Sequence, residues 1–404
     1  MSAPAPRALD LGGLVDLYRG ARLPRTVKAL GATSFLQDAA SEMVYPLLPA
    51  FLAALGGGPI ALGAMEALAD GALTLLKGAA GRWSDRRGRR KPWVNAGYGL
   101  SAATRPLMAL AASAPQVIGL RVIDRVAKGL RTAPRDALIA ETTPAADRAY
   151  AFSFHRGLDH LGAAVGPLLA ALVLLAAPGR LRWVFAAATL PALAGWLTVV
   201  FFTREPRRAA VTERPGGNTG WMPPPGLRAP LVAFFLFSLG NASDAFLLLR
   251  ASEMGYSAVG LTVLWSGFHV VKWLASAPAG RLADRFGSRR LILVGWSIYA
   301  LVYLGFARAD RWTEIAGLFV AYALYYGLTE GAERALVVRL AGPAAGTGAT
   351  LGAFHFATGL GTFAASLLFG AVWALVAPSA AFRAGAALAA AASVSLALAT
   401  AARR

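Results

Sequence analysis

Cysteine is absent from all 404 residues, and acidic residues are scarce: 21 Asp and Glu stand against 40 Lys and Arg. Without cysteine there are no disulfides, no thiolate chemistry and no Cys-based metal sites. Charged residues of both signs make up only 15% of the chain, far less than a water-soluble protein of this size needs on its surface. A loop of the form GxxxxGK[ST] is also missing, so ATP-driven pumping by this chain is not expected. Nor is there the Asp-rich helix end that a metal-dependent lipid transferase would need. No metal and no cofactor is therefore expected. The formal charge of +19 raises the question of nucleic acid, but the arginines cluster in short segments between apolar stretches. No basic face interleaved with aromatics appears, and nucleic-acid binding is not expected.

What is present is apolar: 56% of the residues are hydrophobic. Apolar stretches of roughly 20 residues recur, each able to cross a hydrocarbon core of about 30 Å as a helix. Only a helix or a closed barrel satisfies its own backbone in lipid, and these lengths suit a helix. Spans are expected near 27–56, 59–80, 93–113, 115–138, 149–176 and 182–203, then 229–252, 255–279, 291–308, 312–338, 345–375 and 379–401. Residues 1–26 read as a cytoplasmic tail, 27–203 and 229–404 as two six-helix bundles, and 204–228, rich in Pro, Gly and charge, as the linker loop between them.

Arginine sets the expected orientation. The tail, the 81–91 segment, the 204–214 segment, the 280–290 segment and the final Arg403 and Arg404 all fall on one side. By the positive-inside rule that side is the cytoplasm. An even number of spans then puts both termini there, in a multi-pass protein of a bacterial inner membrane.

The two halves repeat. GRWSDRRGRRK (81–91) is answered by GRLADRFGSRR (280–290), 199 positions later. Lys128-Gly129 matches Glu330-Gly331, and Phe154-His155 matches Phe354-His355, at nearly the same offset. Duplicated halves with a solute site between them at mid-membrane are a recurrent transporter design.

These residues resemble the major facilitator superfamily. Gly81, Arg82, Asp85, Arg86, Gly88, Arg89 and Arg90 look like that family's signature between helices 2 and 3; Gly280, Asp284, Arg285 and Gly287 belong to its second copy. Arg125-x-x-x-Gly129 resembles the family's intramembrane arginine motif. Gly162-x-x-x-Gly166-Pro167 is similar to the antiporter motif of exporters, without the flanking glycines of its fullest form. The stretches 38–49, 124–136, 241–250 and 325–336 look like a bacterial subgroup. The resemblance implies an all-α fold of twelve transmembrane helices in two pseudo-symmetric bundles. In it helices 3, 6, 9 and 12 lie outermost and 1, 4, 7 and 10 line the cavity, with Asp85 and Arg86 in a cytoplasmic gate.

Ionisable groups sit inside the expected spans. Asp38 and Glu42 share a face of span 1; Glu66 and Asp70 share one in span 2. Arg121, Asp124, Arg125 and Lys128 occupy span 4, His155, Arg156 and Asp159 span 5, Asp244 span 7, His269 span 8, Glu330 and Glu333 span 10, and His355 span 11. Each ionised group at mid-bilayer costs roughly 2.5–3.5 kcal/mol against lipid, so these groups are expected to face one another or water. Asp38, Glu42, Asp70, Arg125, Lys128, Asp244, Glu330 and Glu333 are the expected substrate and proton sites. The others are secondary candidates, with His269 and His355 equally readable as packing residues.

The expected activity is secondary transport by alternating access: a proton-coupled antiporter exporting drugs or metabolites, with protons, a small solute and the bilayer as partners. A monomer is expected. The alternatives are proton-coupled uptake of a metabolite or sugar, a membrane-embedded enzyme, and a non-transporting receptor. Asp38, with Glu42 or Asp70, is the expected proton carrier.

Overall fold

The structure, a computed structural model, describes residues 23–144, 147–205, 225–341 and 347–401. The N-terminal tail up to residue 22 and most of the linker, 206–224, lie outside the described residues.

Among the described residues the chain is helical and makes twelve crossings. Span 1 runs through Arg25–Val44, a 3-10 turn at Tyr45–Leu47, and Leu48–Ala54. Pro46 and Pro49 stand at the second positions of the second and third pieces, where their missing N–H groups break the regular ladder. Span 7 is broken at the same place in the second half, between Pro225–Gly240 and Ala245–Glu253. A carbonyl freed there is satisfied: Tyr299 donates its hydroxyl to the Gly240 oxygen at 2.8 Å. Span 6 divides into Leu181–Ala187 and Thr189–Phe202. The remaining spans are Pro59–Arg87, Lys91–Leu110, Ala114–Thr142, Arg148–Ala176, Ala258–Phe286, Ser288–Arg308, Trp312–Ala341, Thr347–Leu375 and Pro378–Ala401.

Eight of the crossings are apolar enough to be identified as membrane-spanning by length and composition alone. Spans 1, 3, 4 and 10 fall short of that measure. Span 4 has Arg121, Asp124, Arg125, Lys128, Arg131, Arg135 and Asp136 within one helix, and span 10 has Glu330, Glu333 and Arg334. Apart from Asp136 and Arg334, whose side chains are each 45% exposed, those side chains turn toward the protein, which is why helices too polar for lipid are held between apolar ones.

The outermost surfaces are of the opposite character. Leu100, Leu107 and Leu110 on span 3, Leu190, Phe201 and Phe202 on span 6, Val294 and Leu301 on span 9, and Val394 and Leu398 on span 12 are exposed. So large an apolar belt has lipid as its natural solvent. Within the first half, span 1 packs on spans 5 and 6, and span 4 on spans 2 and 3. Within the second, span 10 packs on spans 8 and 9, and span 12 on spans 7 and 9. The halves meet through span 2 against span 11 and span 5 against span 8, two pairings related by the duplication.

Small residues permit these approaches. A Cβ on Gly162 or Gly166 would run into the carbonyl oxygens of Phe35 and Ala39, so the antiporter-like motif marks where span 5 lies directly on span 1. Between the halves, a Cβ on Gly63 would strike the Ser366 carbonyl.

The two signature segments differ from expectation. Gly81, Asp85 and Arg86, and Gly280, Asp284 and Arg285, are not in loops, because spans 2 and 8 continue as helix to Arg87 and Phe286. Only short turns remain, at Gly88 with φ +63° and Gly287 with φ +84°, backbone conformations that suit glycine. Apolar periodicity ends before these turns, but helical backbone carries on into water because the i→i−4 ladder needs no lipid. The side chains of Arg82 and Asp85 lie outside the described residues.

Candidate functional site

Breaks at the same height in spans 1 and 7 bring two related residues together. Tyr45 and Ser243, 198 positions apart, are hydrogen-bonded at 3.2 Å across the pseudo-twofold. Ser243 also donates to Glu66 of span 2 at 2.8 Å. Arg121 of span 4 grips the same carboxylate with two bonds, at 3.0 and 3.2 Å, and stacks over the Tyr45 ring at 4.9 Å. Glu66 and Arg121 are both buried. Beyond them Leu48, Phe51 and Leu52 of span 1 lie buried beside Phe246, Leu247 and Leu248 of span 7. The halves are thus sealed together on the face away from the basic segments.

Two further charge clusters are buried inside the first half. Asp124 accepts from Arg105 at 3.0 Å and from Ser101 at 2.6 Å, and Arg131 also donates to Ser101. Asp159 accepts from Ser34 and pairs with His155 at 3.6 Å and Arg156 at 3.7 Å. Each joins neighbouring helices of one bundle, so each has a packing role available without any solute.

The remaining candidates are only partly covered. Asp38, Glu42, Asp70, Arg125 and Lys128 in the first half, and Asp244, Glu330 and Glu333 in the second, are neither buried nor fully exposed. Asp38 lies within electrostatic range of Lys128, Glu42 and Asp159, and Asp70 within range of Arg125 and of Asp244 from the other half. The Nε of Arg125 is buried without a hydrogen-bond partner. Glu42 reaches across to span 8, accepting from the Trp265 indole at 2.7 Å beside His269 at 3.7 Å.

In the second half, Asp244 at the span 7 break accepts from Tyr322 at 2.6 Å and from Tyr326 at 3.4 Å. Glu333 accepts from the Trp296 indole at 3.0 Å. Glu330 pairs with Lys272 at 3.5 Å and Arg334 at 3.2 Å, and the Lys272 ammonium sits 4.4 Å from the Tyr326 ring centre. Toward the basic face the charges open out: the side chains of Arg156 and Arg334 are 53% and 45% exposed. His355 is exposed on span 11 and forms no part of the buried clusters.

A profile of the Major Facilitator Superfamily matches residues 30–271. An uncharacterized MFS-type transporter of Methanocaldococcus jannaschii is 31% identical, over 87% of this chain and 89% of that protein. The chain belongs to the major facilitator superfamily. An uncharacterized protein of Mycobacterium tuberculosis is 25% identical over 78% of this chain and 79% of its own length. Solved structures share the fold at low identity. The nucleoside transporter NupG, as a D323A mutant, superposes with a TM-score of 0.76 at 13% identity, covering 93% of this chain and all of that one (100%). A D-xylose-proton symporter superposes at 0.71 with 17% identity, covering 94% and 97%.

As a superfamily member the chain is a multi-pass membrane protein of a transporter family. Sequence reasoning found its charged groups by position and type. It did not find the neutral partners that hold them: Tyr45 and Ser243 at the seal, Trp265 on Glu42, and Tyr322 and Tyr326 on Asp244. A signal existed for one of them, since YYGLTEGAERAL sets Tyr326 beside the span 10 carboxylates, while Tyr322 lies upstream of that stretch. Hydroxyl and indole groups cost little in lipid compared with a charge, so an argument from desolvation passes over them.

Proposed function

We propose that this chain is a proton-coupled secondary transporter that moves a small solute by alternating access, with export as the working direction. The observation that carries the reading is the division of its intramembrane charges. Glu66, Arg121, Asp124 and Asp159 are buried in neutralising contacts, whereas Asp38, Glu42, Asp70, Arg125 and Lys128 are only partly buried. Charges fully matched inside a bundle hold it rigid; charges left partly wet have room to exchange partners.

In this mechanism Asp38 carries the proton. Lys128 is its electrostatic partner in the empty protein. A cationic solute group that pairs with the Asp38 carboxylate disfavours its protonation, and by reciprocity a proton on Asp38 weakens the hold on the solute, while Lys128 neutralises the carboxylate between the two. Competition of this kind gives exchange. Opening toward the other face requires the Tyr45–Ser243–Glu66 contact to part, while the halves rock about the paired surfaces of spans 2, 5, 8 and 11. The basic segments put the accessible face in the cytoplasm, and both termini with it. Asp85 and Arg86 act as the gate of that face, the family role of their motif.

The test uses proteoliposomes containing trapped pyranine as the pH reporter and ethidium as a trial cationic solute. An imposed pH gradient is expected to drive ethidium movement, with a matching proton flux. Asp38→Asn is expected to abolish the coupled flux while elution and helicity stay unchanged. Undiminished coupling in that variant removes Asp38 from the role. A panel of toxic compounds tested on deletion strains then decides direction, since hypersensitivity indicates export and a lost nutrient indicates uptake.

A further inference from the structure

One group of charges on the basic face has no part in that mechanism. Where spans 8, 9, 10 and 12 end, a cavity of about 420 Å³ is lined by Arg285, Arg289, Arg290 and Arg339 together with Phe286 and Thr400. Four arginines line this one volume, the Arg285 guanidinium 5.1 Å from the Phe286 ring centre, and arginine does not shed its proton to relieve crowding of like charge. Arg289 donates to the Ala397 carbonyl at 2.8 Å, but its Nε is buried without an acceptor.

The first half shows what such a cluster ordinarily has. Arg90, the duplicate of Arg289, donates to Glu141 at 3.1 Å and to Ser84 at 2.6 Å. Glu205 accepts the backbone N–H groups of Arg90 and Lys91. At the 199-residue offset Ser84 becomes Ala283 and Glu205 becomes Arg404, and at the 202-residue offset that pairs Lys128-Gly129 with Glu330-Gly331, Glu141 becomes Pro343. All three acceptors are gone. No Asp or Glu occurs between Arg285 and Ala309, or anywhere after Glu333. Asp284, whose side chain lies outside the described residues, is the one carboxylate that the adjoining sequence offers.

We infer that this cavity binds a phosphate group, whose oxygens replace from outside the acceptors that Ser84, Glu141 and Glu205 provide within the first half. Guanidinium forks match phosphate geometry with paired, charge-assisted hydrogen bonds. The group comes either from the headgroup of an anionic phospholipid or from a soluble phosphate. The pocket opens at helix ends beside the exposed ring of Phe286, a position that suits a lipid of the adjacent leaflet. Once bound, the phosphate ties the ends of four helices of the second bundle together.

The experiment reconstitutes purified protein in nanodiscs of phosphatidylcholine containing phosphatidylglycerol and counts retained lipids by native mass spectrometry. Wild-type protein is expected to retain phosphatidylglycerol with about tenfold or greater enrichment. Arg290→Gln with Arg339→Gln is expected to lose that enrichment. Arg87→Gln with Arg89→Gln, an equal loss of charge in the first copy, is expected to keep it. In a second arm, lipid-depleted protein in detergent is heated with and without inorganic pyrophosphate. Protection of wild-type protein but not of the second-copy double variant, without lipid enrichment, assigns the site to a soluble phosphate. Neither enrichment nor protection in wild-type protein overturns the inference, and so does equal behaviour of the two double variants. If the second-copy double variant is not monodisperse, Arg290→Gln alone replaces it; unchanged retention then counts against the site.

Discussion

Among single residues, Glu66 shows how a buried charge is tolerated. Its carboxylate takes two bonds from Arg121 and one from Ser243, so nearly all its acceptor capacity is used. Removing one partner of such a pair leaves the other charge buried and uncompensated, at a cost of about 3–5 kcal/mol. Glu66→Gln is expected to lower the thermal unfolding midpoint of the detergent-solubilised protein substantially. Glu66→Leu combined with Arg121→Leu is expected to recover much of the loss, because two apolar groups replace a matched pair. A double variant less stable than the single one would mean that the pair does more than neutralise itself. Asp38 differs in that its opposing charge, Lys128, is held at electrostatic range without the fork of bonds that fixes Glu66. This contrast was invisible in the sequence, where both are acids four residues from another acid.

At the level of the helix, packing and breaks matter more than charge. Span 5 lies against span 1 so closely that Gly162 and Gly166 face backbone carbonyls with no room for a methyl group. Gly166→Val is therefore expected to push the two helices apart and yield aggregated protein in size-exclusion chromatography. Gly179→Ala, on the turn after span 5 with open space around it, is expected to remain monodisperse despite its φ of +73°. Equal behaviour of the two variants would refute a specific role for the span 1 contact. The glycine spacing was legible in the sequence, but it read as a marker of transport direction. In the structure its immediate physical work is helix contact. The span 1 break was less legible, since Pro46 and Pro49 signal a bend without saying that the chain continues through it.

For the molecule as a whole, the proposed mechanism makes the sealed face and the opposite face the two ends of one device. Closure rests on Tyr45 and Ser243, which belong to different halves, and on the apolar residues beyond them. The natural absence of cysteine makes this directly testable, because thiols introduced at these two positions have no competitors. Tyr45→Cys with Ser243→Cys, joined by a short bifunctional thiol reagent, is expected to stop solute flux in proteoliposomes. Either single variant treated alike is expected to retain it. Continued flux in the joined protein would show that this contact need not open.

Sequence alone determined that the chain crosses a membrane twelve times as two related six-helix bundles. Hydrocarbon thickness, backbone satisfaction and arginine asymmetry act on local stretches of chain, and duplication is written in spacing. It also marked which spans carry charge too costly for lipid. Only the tertiary structure decided which charges neutralise one another and which stay partly exposed, because that depends on neighbours 55, 177 or 223 positions away. The arginines at the ends of spans 8, 9, 10 and 12 emerged in the same way: four residues scattered over the second half line one cavity only because their helices end together.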